Sequence, residues 1–340
     1  MEHVDCLVIG GGPAGLAAAI QLARLRRSCV VIDDDAGRSL WSQVTRNYLG
    51  FPDGIAAADL RLLGQRQSVR HGVNLRRGRV RSLRRGRDGG FVATTEHASD
   101  TDELATPGLA EHRDRERAHG ARLGERTTRG SQRTAERAVI LATGVVDAFP
   151  AFEGRDACVG VSLFWCIVCD GYEAIGRHVA VVGDDDEAIS TAFGLLHFTD
   201  RVTLVTRARR RTRSGRARLA ELDRRGVRVL RGPVTRYLHA DGRIECLELG
   251  DAAPVACEVV FVSSPKRPRT GLARRLGARA DGDGYLIVDD AGRTTVPGVY
   301  AAGDILAGHA HQVATGVASG ASAATAVNYD LYDPFERGEG

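Results

Sequence analysis

A chain of 340 residues, 43% apolar, with 41 glycines and a formal charge of +4, is long enough for two domains of roughly 150 residues each and too large for one small domain. No apolar run approaches the roughly 20 residues of a membrane span, and no basic segment followed by an apolar stretch marks export, so a cytoplasmic protein is expected. The arginines are dispersed rather than gathered in a tail, which does not point to nucleic-acid binding, and Lys266, the single lysine, disfavours Schiff-base chemistry.

In chain order, residues 4–9 read as a strand, Gly10 to Gly15 as a tight glycine turn, 16–26 as a helix and 29–33 as a second strand. The turn Gly10-Gly11-Gly12-Pro13-Ala14-Gly15 fits G-x-G-x-x-G between strand and helix, with Asp33 about twenty residues on, as a dinucleotide-binding βαβ unit requires. Gly10 would make the turn, Gly12 would let the backbone approach a pyrophosphate, and Gly15 would permit close helix packing. The N-terminus of that helix supplies amides and a dipole that favour phosphate. Residues 97–137 are polar and charge-mixed without a period, and read as an exposed insertion between two strands of the first domain.

A second βαβ unit is expected from strands at 178–183 and 201–206 and a helix at 188–197. Strands at 258–262, 284–288 and 296–304 and a helix at 312–328 complete the chain. The fold class is α/β with two Rossmann-like nucleotide-binding domains, the second inserted in the first: 1–148 with 260–340, and 149–259 between them.

Just upstream of the second unit stands Trp165-Cys166-Ile167-Val168-Cys169-Asp170-Gly171. In an intracellular chain the seven cysteines make a poor structural disulfide framework, and a close Cys-x-x-Cys points to redox chemistry or metal. Zinc would need two further ligands. Cys158 lies eight residues before Cys166, but no second close Cys or His pair follows. Two cysteines at this spacing can close a small ring and lower one thiol pKa, which suits disulfide exchange. Cys6, Cys29, Cys246 and Cys257 fall in or beside strands and read as core thiols.

Several short segments carry a resemblance. Ala142-Thr143-Gly144 and Tyr300-Ala301-Ala302-Gly303-Asp304 each end a strand, and Asn47-Tyr48-Leu49-Gly50-Phe51-Pro52 is similar to a flavin-contacting Asn-x-Pro-Gly-Phe run, with Leu49 in place of its proline. His311-Gln312-Val313 is similar to an Arg-Gln-Ala at the last helix, Gln312 matching and His311 not. With Cys-x-x-Cys-Asp, the chain resembles the low-molecular-weight thioredoxin reductases of the pyridine-nucleotide disulfide oxidoreductase superfamily over nearly its whole length outside 97–137.

That resemblance implies FAD at Gly10, Gly12, Pro13, Ala14, Gly15, Asp33, Asn47, Ala142, Gly144, Gly303, Asp304 and Gln312, and a homodimer. It implies a redox-active Cys166–Cys169 disulfide with Cys169 next to the flavin, Cys166 attacking the partner's disulfide, and Asp170 managing protons. Helix N-capping is the structural alternative for Asp170.

The resemblance also implies NADPH in the central unit, yet the turn there reads Gly183-Asp184-Asp185-Asp186-Glu187-Ala188. A carboxylate about 4 Å from a phosphate charge costs ~1 kcal/mol in water and ~4 kcal/mol at an effective dielectric of 20. The segment 206–213 keeps only Arg207 of the pattern expected to grip a 2′-phosphate. The arginines at 207–218 read either as a solvated helix or as a basic face for an acidic carrier such as ferredoxin. Three functions therefore stand side by side. One is a disulfide reductase of thioredoxin-like proteins or small disulfides fed by such a carrier. The second is an oxygen-using dithiol oxidase, and the third a flavin-binding redox sensor.

Overall fold

The computed structural model describes residues 3–100, 132–207, 213–250, 252–263, 265–333 and 335–337. The contacts divide the chain into two compact units, 1–40 with 48–146 and 267–340, and 41–47 with 147–266. Most of the segment read as an insertion, 101–131, lies outside the described residues. Its flanks at 97–100 and 132–137 belong to strands: 132–136 pair antiparallel with 91–95, and Ser99 and Asp100 pair with Arg77 and Arg76.

In the first unit β1 (His3–Ile9) leads into α1 (Pro13–Arg24) and β2 (Cys29–Asp33). Next come α2 (Ala57–Arg70), β3 (Asn74–Arg85), β4 (Phe91–Asp100) and β5 (Gln132–Leu141). A parallel layer runs from the late strand Val299–Ala301 through β5, β1 and β2 to β3, and β4 bridges β3 and β5 antiparallel. Parallel strands covered on both faces read as continuous apolar runs. In β1, Leu7 and Ile9 enter one core while Cys6 and Val8 enter the other. The long helix Val313–Asp330 lies on α1 so closely that a Cβ on Gly320 would stand 2.1 Å from the Ala14 carbonyl oxygen.

In the second unit β6 (Leu163–Phe164) precedes α3 (Ile167–Asp170), β7 (Val179–Val182), α4 (Asp186–Leu195), β8 (Val202–Thr206), α5 (Arg213–Arg224) and β9 (Arg228–Arg231). An antiparallel meander, β10 (Arg236–Ala240), β11 (Arg243–Leu249) and β12 (Ala252–Ala256), then leads to β13 (Val259–Val262). The parallel sheet has the order β9, β8, β7, β13, β6.

Three expectations shift. The first helix begins at Pro13 rather than residue 16, since proline's fixed φ and missing N–H suit the first helical position. The helix expected at 188–197 begins at Asp186 because the Asp185 side chain caps it. Residues 284–288 form only isolated bridges, Leu286 to Ala280 and Leu306 and Val288 to Thr294, too scattered for a strand.

Gly320→Ala separates packing from propensity. Alanine is the better helix former by ~1 kcal/mol, but here its methyl meets backbone, so a net loss of about 1–3 kcal/mol is expected as a lower melting temperature.

Candidate functional site

The glycine turn of the first unit is built by close approach. A Cβ on Gly15 would lie 1.8 Å from the Gly10 carbonyl oxygen, and one on Gly10, at φ +108°, would lie 2.3 Å from the Ala142 carbonyl oxygen. Gly12 faces open space, with nothing within 4 Å of its missing Cβ. It caps α1 with no side-chain hydrogen bond, Pro13 follows, and the first turn holds no acidic residue. The helix thus presents unneutralised amides to an open space, which suits a phosphate.

The other residues of this set gather around the turn. A Cβ on Gly11 would stand 2.9 Å from the Asp33 side chain, and one on Gly303, at φ +79°, 2.9 Å from Ala14. Thr143 donates to the Arg269 carbonyl at 2.8 Å, beside Gly144 at φ +64°. Asp304 pairs with Arg38 at 3.0 Å and Asp33 with Arg61, a guanidinium it shares with Asp35. Neither arginine stood out in a chain with 47 basic residues, because nothing in their spacing marks the pairing. Gln312 accepts from the backbone of the last helix in a capping box with Thr315. Asn47 falls in the second unit by its contacts.

In the second unit Cys166 and Cys169 form a disulfide, S–S 2.09 Å and Cα–Cα 5.2 Å. The edge strand β6 delivers the pair, and Cys166 caps the short helix α3, its sulfur accepting from the Cys169 amide at 3.1 Å. Asp170 is buried at 7% exposure. It stands at the start of the 3-10 turn Gly171–Ala174 with no side-chain capping bond, so the capping role weighed for it is absent. Burial drives its carboxyl from 3.8 up to about 7; the positive charge of Arg46 opposes this and Glu173 reinforces it. Arg46 and Glu173 escaped the sequence reading because no motif links residue 46 to the Cys-x-x-Cys turn. Cys6, Cys29 and Cys257 are buried and Cys246 is partly so.

The turn at Gly183 shows the opposite arrangement to Gly10–Gly15. Asp185 places its Oδ1 on the amide of Ala188 at 2.8 Å and accepts from Ser263 Oγ at 2.8 Å. One α4 amide, that of Ala188, is thus met by a carboxylate of the chain. Asp184 accepts from the Arg207 backbone at 2.7 Å and from its Nε at 2.8 Å. Burial pushes the Asp184 carboxyl up, but the hydrogen bonds and charge of Arg207 outweigh it and hold it below the usual carboxylate range. The four acids of this turn do not act alike. Only Asp184 and Asp185 line the adjoining cleft of about 620 Å3, whereas Asp186 lies 4.0 Å from Arg218 and Glu187 2.9 Å from Lys266. These residues do not fit an NADPH pyrophosphate.

Comparison with known proteins gives the family. The pyridine nucleotide-disulphide oxidoreductase family matches residues 4–323. The chain belongs to that family. It is similar to the thioredoxin reductase of Treponema pallidum (strain Nichols), 28% identical over 331 residues and 95% of each chain. Among solved structures it is similar to HlmI, with a TM-score of 0.81 and 30% identity over 99% of this chain and 95% of that one. The thioredoxin reductase of Streptococcus pyogenes MGAS5005 shares the fold, TM-score 0.78 and 24% identity over 97% and 98%. The chain is an FAD-dependent disulfide oxidoreductase of thioredoxin reductase-like type with a mixed α/β Rossmann-like fold. Among the described residues no helix is long and apolar enough to cross a membrane.

The raised pKa of Asp170 makes stability depend on pH. Its contribution is fully present below about pH 4 and is lost as pH rises through about 7. Asp170→Asn removes the titrating group. Unfolding of the oxidised protein across this range should show the variant gaining on the wild type, by up to about 4 kcal/mol.

Proposed function

We propose that this chain passes electrons between FAD and the Cys166–Cys169 disulfide, exchanges that disulfide with a thioredoxin-like protein or a small dithiol or disulfide, and does not draw its electrons from NADPH. The observation that carries the reading is the Asp185 carboxylate on the Ala188 amide, backed by the engagement of Arg207 with Asp184. A phosphate entering here must displace one carboxylate and lie beside another, which is costly in a partly buried site.

FAD supplies the two-electron step when bound. Gly10, Gly12, Pro13, Ala14 and Gly15 would hold its pyrophosphate, Asp33 a ribose hydroxyl, Asp304 the ribityl chain, and Ala142, Gly144 and Gly303 would keep the backbone close. Asn47 and Gln312 are assigned to the flavin on resemblance. Exchange itself proceeds at the sulfurs. A substrate thiolate attacks Cys166, the Cys166–Cys169 bond breaks, and the Cys169 thiolate leaves with the electron pair. A second substrate thiol then releases its disulfide and a reduced Cys166. Asp170, titrating near neutrality, gives or accepts the proton at these sulfurs.

Charge bears on the choice of the other electron partner. Arg207 is held by Asp184 and Arg218 pairs with Asp186 and Ser190, while Arg209, Arg210 and Arg211 lie outside the described residues. This internal neutralisation weakens the basic face that an acidic carrier such as ferredoxin would use. It favours oxidation of a dithiol, with oxygen taking two electrons and two protons to give peroxide.

The test is anaerobic mixing of the purified flavoprotein with NADPH, NADH, reduced ferredoxin and dithiothreitol in turn. A dithiol should bleach the flavin band and both nicotinamides should leave it standing; rapid bleaching by either nicotinamide overturns the reading. Cys166→Ser and Cys169→Ser should each lose turnover at least 100-fold, and Asp170→Asn roughly 10²–10⁴-fold.

A further inference from the structure

The segment 41–47 packs with the second unit, and it is clamped there. Gln43 donates to the Val159 carbonyl at 3.2 Å, and Trp41 lies 5.8 Å from Phe149, which meets Trp165 edge-on at 5.0 Å. A Cβ on Gly160, at φ +75°, would come within 2.9 Å of the Gln43 backbone nitrogen, so the approach depends on glycine. Trp165 is the residue before Cys166. The clamp therefore fixes the segment against the strand end that carries the disulfide, and Arg46 reaches Glu173 with its Nε 3.2 Å from Oε1.

The charges around Asp170 are few. On its own helix stand only the paired sulfurs. From α4, Gly194 meets Ile167, and in the turn that follows it Phe198 lies against Gly171, so these contacts bring no charge. Glu173 on the following turn and Arg46 on the clamped segment are the charged groups that act on it.

We propose that Arg46 is a positioning residue for the disulfide reaction, holding with Glu173 a fixed charge pair beside Asp170 that sets the pH at which this buried carboxyl releases its proton. This rests on the reading of Cys166–Cys169 given above. The pair tunes the acid around neutral pH: without the cation the carboxyl would hold its proton to higher pH, and without the anion it would release it at lower pH. Arg46 makes its ion pair with Glu173, and its effect passes through Asp170.

The opposite signs of the two partners provide the test. In the oxidised holoenzyme the carboxyl C=O infrared band that vanishes in Asp170→Asn is titrated with pH. Arg46→Gln should raise its midpoint by about half a pH unit or more, Glu173→Gln should lower it by a similar amount, and Arg46→Lys should restore the wild-type value. The pH dependence of dithiol turnover should move in the same directions. Midpoints that stay put, or that move the same way in both variants, overturn the role of Arg46 alone. An Asp170→Asn variant with wild-type turnover instead overturns the reading of the disulfide site, and with it any part Arg46 has in the reaction.

Discussion

The amides at the start of a helix have no partners within it, and this chain resolves that constraint in two opposite ways. At α1 they are left open behind Gly12, with no acid in the first turn, so an anion can take them. At α4 the Asp185 carboxylate takes one of them, and Asp186 and Glu187 add negative charge to the same turn. The two βαβ units share one plan, and the side chain at the helix entrance decides what each can hold. Asp184 extends the effect by engaging Arg207, the residue best placed by sequence to grip a phosphate, with its backbone and guanidinium both bound. The turn thus carries hydrogen bonds of its own, from Asp185 to Ala188 and Ser263 and from Asp184 to Arg207.

The disulfide belongs to the same unit as that altered turn. Its setting is mostly local: an edge strand, a four-residue helix capped by the first cysteine, and a buried acid one residue beyond the second. Burial alone would keep Asp170 protonated over a wide range, since desolvation disfavours the charged form. The surroundings temper this with one cation and sharpen it with one anion. A carboxyl poised near neutrality is what reversible proton transfer at sulfur needs, because it must be populated in both forms at working pH.

Much of this was legible in the sequence. The glycines at 10, 12 and 15, Asp33 and the Cys-x-x-Cys-Asp run were recognisable because their physical demands are local: a turn without side chains, a helix start, a small ring of two cysteines. The same locality hid how the acids of Gly183–Ala188 divide. Four acids stand in a row, yet helix geometry sends Asp186 and Glu187 toward Arg218 and Lys266. The expected strand at 284–288 failed because apolar alternation there is served by isolated bridges rather than a continuous partner. The arginine pairings of Asp33 and Asp304 were illegible for a different reason, as any of dozens of arginines could have met those acids.

By itself, the sequence determined the repeated βαβ plan, the redox pair and the acidic character of the second turn, since each depends on residues within a few positions of one another. Tertiary structure alone decided which carboxylates enter the cleft, that Asp185 caps α4 and binds Ser263, and that residues 41–47 bring Arg46 to Glu173 beside Asp170. Those outcomes join positions 78 and 127 residues apart, from Asp185 to Ser263 and from Arg46 to Glu173. Only the folded backbone specifies such distances, and so the electrostatics of the disulfide site became visible only once the chain was closed on itself.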